Sequence, residues 1–406
     1  MRILLTEGSG LTSRQTAPRL SALGHTVGVL STDPIGLTRF TRAVSAWHRT
    51  AQFGADPFAW LDAALDVAVR HRYHLMLPTQ EQVTVLSWAD AHGRLGSVRT
   101  VVPAFESLRA MQDKLSAHAT LERLGLPRPD ATVLYTLEDL AMSNQFPVYV
   151  KTPIGTAATG VWRLDTAHDR ADLLRNATVV EALGREGGGL LAQRAVEGPL
   201  VMLQSVFDQG RLVAFHANLR VREGARGGAS HKRSVVLPAA DSAIDTLGRT
   251  LHWHGALSAD AIVTVDGPLL IDINPRLVEP VNAFHAGVDL VGALVDVAME
   301  RHPPRQAVGR PDVATHQLLL AVLGAAQHEQ RRQAILAELR AAAGHTDAYT
   351  ASIEELTPVR DDWRAGIPTA TAALVTLLRP GTWQWFAGVT VANYAISPAG
   401  WRAMTE

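Results

Sequence analysis

LLIDINPR, residues 269–276, places Asp272 and Asn274 two positions apart within an aliphatic run. Period-two alternation puts both side chains on one face of a strand and Ile271 and Ile273 on the other. A preceding strand over 259–265 carries Asp260 in SADAIV, and the Asp266-Gly267 pair between the two is hairpin turn chemistry. Pairing can bring Asp260 to the face of Asp272 and Asn274. Two carboxylates and an amide oxygen are hard ligands of the kind Mg²⁺ takes, with phosphate oxygens and water completing the octahedron. Arg276 extends the same row with a planar fork suited to a carboxylate or acyl phosphate. The same pattern also describes an ordinary hairpin with solvated polar faces.

Of 38 basic residues only Lys114, Lys151 and Lys232 are lysines, so each position where a compact ammonium persists is informative. Lys151 ends the strand-like FPVYVK and is followed by the small-residue loop TPIGTAATG, residues 152–160. Such a loop lets backbone N–H groups approach phosphate oxygens. It lacks the Gly-Lys-Ser/Thr of a Walker A loop, which excludes a P-loop enzyme. Lys114 lies in MQDKLSAH, on a helix expected over 105–124 and closed by GLPRP.

The chain of 406 residues has a formal net charge of −1, 47% hydrophobic and 19% charged residues, and no cysteine. Cysteine chemistry of every kind is excluded: disulfides, zinc–thiolate sites, iron–sulfur clusters and thiol nucleophiles. Near-neutral charge gives no footprint for nucleic acid or an anionic membrane. No window approaches the ~20 apolar residues of a membrane span, and MRILLTEGSG lacks the features of a signal peptide. A cytoplasmic protein is expected.

Periodicity divides the chain into three parts. Residues 1–105 read as a parallel α/β domain opened by a βαβ unit. Gly8 and Gly10 fit a tight turn there, and the third glycine of a dinucleotide fingerprint is missing, with Ser13 in its place. Asp56 followed by Pro57 reads as a helix start, and 100–103 as a last strand. Residues 106–300 read as α+β in two lobes, about 106–186 and 190–300, with one helix over 169–183 and a hinge in Glu186-Gly187-Gly188-Gly189. Residues 301–406 read as mainly helical, with a helical stretch over 316–343 and Trp363, Trp383, Trp385 and Trp401 as packing anchors. Arg220, Arg222, Arg226, His231, Lys232 and Arg233 form a basic cluster that reads equally as an anion site or a solvated loop. His252 and His254 read as structural.

The ordered set of Asp113-Lys114, GLPRP, FPVYVK, a small-residue loop, LLAQRAVEG (190–198), an acid, DINPR and Gly287-Val288-Asp289 resembles the ATP-grasp superfamily over residues 1–299. REGARGGASHKRSVVLP (222–238) and LGRTLHWHG (247–255) are similar to its bacterial carboxylate–amine ligase type. The resemblance implies a pre-ATP-grasp domain followed by two lobes that hold ATP between them. It implies that Lys114 and Lys151 contact ATP phosphates beside Gly155 and Thr156 of the loop. Gln193 would read the adenine amino group, with the backbone of Arg194 and Val196. Asp260, Asp272 and Asn274 would hold magnesium, and Lys151 and Arg276 would act in catalysis, Arg276 on the acyl phosphate. Arg220, Gly228, Ser230 and Arg276 would meet the carboxylate substrate. His285 stands open between amine-proton acceptor and structural filler.

Three departures accompany the resemblance. Aspartates stand at both acidic metal positions, Asp260 and Asp272, where the family usually has glutamate. Leu200 stands near the usual ribose-binding acid, leaving Glu197 as a substitute. Alanines occupy loop positions where glycine is common. The implied function is ATP-dependent amide or peptide bond formation from small-molecule carboxylate and amine substrates, with ADP and phosphate released and a homodimer through the first domain by analogy. A kinase-like or thioester-forming member, or a non-catalytic nucleotide-binding protein, stays open.

Overall fold

The computed structural model describes residues 1–185 and 187–406, apart from the side chains of 387–390. Glu186, expected in the hinge run, lies outside the described residues. The first domain is a parallel four-stranded sheet of β1 (Arg2–Leu5), β2 (Thr26–Ser31), β3 (Val44–Arg49) and β4 (Leu75–Leu77) in the order 3-2-1-4. Alternate residues of its buried strands feed two cores. Ile3, Leu5, Val27 and Val29 pack toward the helix Leu290–Ala298. Leu4 and Leu30 pack toward Trp60 of the helix Pro57–Arg70. That helix starts where its cap dictates, since the Asp56 carboxylate accepts from the backbone N–H of Phe58 and Ala59 at 3.1 and 2.9 Å. No strand forms at 100–103. The chain there makes a single bridge, Leu75 to Arg99, before turning into the helix Phe105–Gln112.

A small antiparallel sheet follows, made of β5 (Ala131–Leu134), β6 (Val148–Lys151), β7 (Val161–Leu164) and β8 (Leu190–Arg194) in the order 5-8-6-7. Two short helices, Ala167–Leu173 and Ala177–Leu183, replace the single helix expected over 169–183. Asn176 breaks it by capping the second, its side chain accepting from Thr178 N at 3.0 Å. The large sheet contains β9 (Leu200–Asp208), β10 (Arg211–Glu223), β11 (Ala229–Val235), β12 (Gly255–Thr264), β13 (Gly267–Asn274), β14 (Ala314–His316) and β15 (Ile353–Glu354). Their order is 13-12-9-10-11-14-15.

The last two strands change the reading of the C-terminal part. Residues 301–406 do not stand apart as a helical body, because β14 pairs with β11 and extends the large sheet. The helix expected over 316–343 is two, Leu318–His328 and Arg332–Gly344, parted where Gln330 takes a left-handed φ of 52°. The terminal helix Pro398–Thr405 returns to the first domain, where Trp401 and Met404 complete the core around Trp60. Trp363 and Trp385, expected as packing anchors, are 56% and 69% exposed.

One buried histidine gives this fold a measurable acid sensitivity. His216 on β10 bonds the Asn282 amide oxygen at 2.7 Å, and burial pushes its pKa down to about 4. The unfolded chain, with an ordinary imidazole near 6.5, binds the proton first, so this contribution is complete above pH 6.5 and is lost as pH falls from 6.5 toward 4. Urea melts of His216→Gln should therefore show a shallower loss of stability across that window than the parent. The difference should be about 1 kcal/mol per pH unit.

Candidate active site

The hairpin β12–β13 sets the floor of a cleft of about 1030 Å³ between the two lobes. Its register places Asp260 directly opposite Asp272 and Ser258 opposite Asn274, with a bulge immediately after Asp260. Burial and the facing Asp272 carboxylate push Asp260 up to about 7. Like charges on directly opposed residues are unfavourable. The arrangement is one that a divalent cation would relieve. Among the described residues no three His, Cys, Asp or Glu side chains gather as a complete protein-only metal set. Two carboxylates with an amide oxygen fit Mg²⁺, which is commonly held by one or two carboxylates together with substrate phosphates.

The lysines reach this floor from the small lobe and its leading helices. The helix expected over 105–124 breaks at Asp113, whose extended backbone (φ −86°, ψ 127°) ends one helix and whose carboxylate caps the next, Lys114–Arg123. The break makes Lys114 the first residue of that second helix. Its ammonium donates to the Gly155 carbonyl at 2.7 Å and lies 3.9 Å from Asp272. Lys151 is buried at the end of β6 and donates to the Gln193 side-chain oxygen at 2.8 Å and to the Ile271 carbonyl at 2.7 Å. Desolvation lowers its pKa, opposed in part by Asp272. Arg276 contacts the Thr156 hydroxyl at 3.2 Å and the Asn274 amide oxygen at 3.4 Å, which ties the loop to the hairpin.

The loop itself is tightly built. A Cβ on Gly155 would collide with the Thr159 carbonyl oxygen, and Gly160 has φ +74°. Ala157 and Ala158 also take left-handed φ values of 50° and 62°, conformations that glycine adopts at lower cost. Gly155→Ala should displace the Thr159 carbonyl and loosen the loop, measurable as faster amide hydrogen exchange over residues 152–160 with the circular dichroism spectrum unchanged.

Arg194, Val196, Leu200, Arg220 and Gly228 also line the cleft. Arg220 donates to the Gly227 carbonyl at 2.8 Å and lies 3.3 Å from Glu223. Three expected site residues fall outside its lining. Glu197 is exposed on the turn after β8, leaving Leu200 and Ile262 at the wall. Ser230 is fully buried and donates to the Arg222 carbonyl, because alternation along β11 gives the cleft side to Ala229. His285 ends the helix Val281–Ala286 with its ring against Phe284. The basic cluster is largely neutralised internally. Arg222 pairs with Glu338 at 2.5 Å, and buried Lys232 pairs with Glu279 and, at 2.8 Å, with Glu355. Glu279, also on the cleft wall, was not singled out from sequence, although it lies only three residues beyond Arg276. Glu81 was missed too. It is buried, its carboxyl pushed up by desolvation, and it joins Thr156 of the loop to the Ile396 backbone N–H.

No protein-family model matches this chain, and no curated protein matches it either. Solved structures do. The biotin carboxylase domain of Hydrogenobacter thermophilus 2-oxoglutarate carboxylase, bound to MgADP, ADP and bicarbonate, aligns with a TM-score of 0.62 at 16% identity, over 77% of this chain and 73% of that one. N5-carboxyaminoimidazole ribonucleotide synthetase from Thermus thermophilus aligns with a TM-score of 0.57 at 19% identity, over 77% and 81%. L-amino acid ligase from Bacillus licheniformis gives 0.57 at 16%, over 74% of each chain. The chain has the ATP-grasp fold. The small sheet β5–β8 and the hairpin β12–β13 both contribute lining to the cleft. Lys151 and Arg276 link the small sheet and its loop to the hairpin and the residues just after it, and Lys114, from the helix Lys114–Arg123, contacts both Gly155 and Asp272.

Proposed function

We propose that this protein is an ATP-dependent carboxylate–amine ligase that forms an amide or peptide bond through an acyl phosphate. The observation that carries the reading is the convergence, in one cleft, of Asp260, Asp272 and Asn274 with Lys114, Lys151 and Arg276. A carboxylate is a poor electrophile. Its oxygen attacks the γ-phosphorus of ATP, the bond to the β–γ bridging oxygen breaks, and ADP leaves. The amine nitrogen then attacks the acyl carbon, phosphate departs with the C–O bond electrons, and the amine proton passes to solvent. Mg²⁺ on Asp260, Asp272 and Asn274 would supply charge neutralisation at the phosphates.

The chain's own groups account for the remaining requirements. Lys114 presents its ammonium at the phosphate loop, and Lys151 presents its own between Gln193 and β13 on the cleft lining. Their backbone partners, Gly155 and Ile271, lie in that loop and on β13, so the charges are already oriented before substrate arrives. Arg276, held by Thr156 and Asn274, presents its fork where the acyl phosphate would form. Arg194, Val196 and Gln193 line the end suited to the adenine. We assign residues 1–105 to a pre-ATP-grasp domain, 106–300 to the two lobes and 301–406 to a cap that also extends the large sheet. No side-chain nucleophile is needed, in keeping with the absence of cysteine.

The test is ADP and phosphate release from the purified chain with Mg-ATP and an array of carboxylates and amines, singly and in pairs, with mass spectrometry of products. Release that needs one particular pair, with a product lighter than their sum by one water, is the expected result. Release with a carboxylate alone, yielding a stable phosphorylated product, would instead support a kinase-like enzyme.

A further inference from the structure

The cleft extends past the small sheet and the hairpin, and an apolar cluster lines part of it. Its 1030 Å³ lies at the top of the ~300–1,000 Å³ range of small-molecule pockets. Beyond Arg276 and Arg220 the walls come from two parts of the chain outside the small sheet and the hairpin. The first domain supplies Leu11, Leu37 and Phe40. The C-terminal part supplies Leu320 and Leu323 from the helix Leu318–His328, and Trp385 from the helix Trp383–Ala392. These are not scattered surface residues. Leu11, Leu37 and Leu320 pack around one cluster with Leu323, Leu319 and Ala225, which joins the first domain, the loop after β10 and the C-terminal helices. Trp385 lines the cleft and is 69% exposed, and its chain neighbour Phe386 packs on the same cluster.

The apolar wall adjoins the arginine expected to meet the carboxylate. Arg220 donates to the Gly227 carbonyl, and a Cβ on the next residue, Gly228, would touch Leu320 at 3.3 Å. An acid held by Arg220 and Arg276 therefore extends its body along Leu320 and Leu323 toward Trp385. Resting on the ligase reading, we infer that the carboxylate substrate is amphipathic, a small acid carrying a bulky aliphatic or aromatic group, and that Leu320, Leu323 and Trp385 select it by size. The C-terminal part of the chain is then the specificity wall of the site.

The full chain with Mg-ADP is titrated with acetate, 4-methylpentanoate and 3-phenylpropanoate, and with their 2-amino counterparts alanine, leucine and phenylalanine. Affinity should rise about fourfold for each methylene that reaches the wall. Leu320→Gln and Trp385→Ser, both at partly exposed positions, should each reduce the bulky-to-small affinity ratio about tenfold. ATP affinity reports that the variants are folded. Affinities that stay flat across the series, or a ratio that both variants leave intact, overturn the inference. The same acids are run for ADP release with an amine panel, which keeps the two readings separable. Size-dependent binding without any release supports the apolar subsite and sinks the ligase reading. Release with acetate or alanine, with no gain for the bulky acids, supports the ligase and overturns the subsite.

Discussion

Asp272→Asn is expected to reduce ADP release by about 10³-fold while leaving ATP affinity within severalfold of the parent. The side chain keeps its size and one oxygen, so β13 has no reason to rearrange. What changes is charge. Asp260 and Asp272 oppose each other across the hairpin, and their mutual repulsion contributes to holding Asp260 at about 7. Removing the Asp272 charge lets the Asp260 pKa move down toward the ordinary carboxylate range and halves the negative charge offered to a cation. The variant should therefore need a higher Mg²⁺ concentration for half-maximal turnover, as well as having a lower maximum. ATP itself is held mainly through the lysines, the phosphate loop and the adenine end, none of which contains Asp272. Activity titrations in Mg²⁺, alongside calorimetric ATP binding, check both halves. Parent-level turnover in this variant would remove Asp272 from the metal set.

How much of this site could be read from sequence differs by residue, for physical reasons. The hairpin was legible because alternation and an Asp-Gly turn are local, and local rules place Asp272 and Asn274 on one face. The opening βαβ unit of the first domain was legible for the same reason, with β1 and β2 formed where the apolar runs lie, whereas β3 was not read. Asp113 was read inside one continuous helix over 105–124, and the break it caps, which brings Lys114 to the cleft, goes with a tertiary contact to Gly155. Ser230 shows the limit of assigning a whole loop to a substrate. One step along β11 exchanges cleft for core, and Ala229 rather than Ser230 faces the cavity. Glu279 and Glu81 were not legible at all, and Trp385 was legible only as a packing anchor. Glu279 and Glu81 enter the site through partners more than 40 residues away in sequence, Lys232 and Ile396, and Trp385 lines a cleft that first-domain residues also line. The same holds for β14 and β15, too short to stand out from a helical stretch yet fixed by pairing with β11 and with each other.

Lys151→Met should weaken ATP binding about 100-fold, equivalent to about 2.7 kcal/mol, with a much smaller change in thermal stability. The ammonium is buried and its pKa is lowered by desolvation, so the folded chain already bears a cost for keeping a charge there. Methionine fills a similar volume without that cost. It leaves the Gln193 side-chain oxygen and the Ile271 carbonyl without their donor, a loss of the same order as the desolvation relieved. The two effects largely cancel in the free protein. They do not cancel when a polyphosphate occupies the cleft, because of the two side chains compared at this position only lysine carries a positive charge. Arginine should not restore binding, since its planar fork cannot occupy the compact space between β6, β8 and β13 in the manner of a point charge. A competing role for Lys151 is mechanical, because its bond to Ile271 joins the small lobe to β13. The two roles separate in one pair of measurements. A strut would lower the melting temperature and leave the ratio of ATP to AMP affinity where it was, whereas a phosphate contact lowers that ratio and spares the melting temperature. The buried setting of Lys151 beside Asp272 and Gln193 makes the second outcome the expected one.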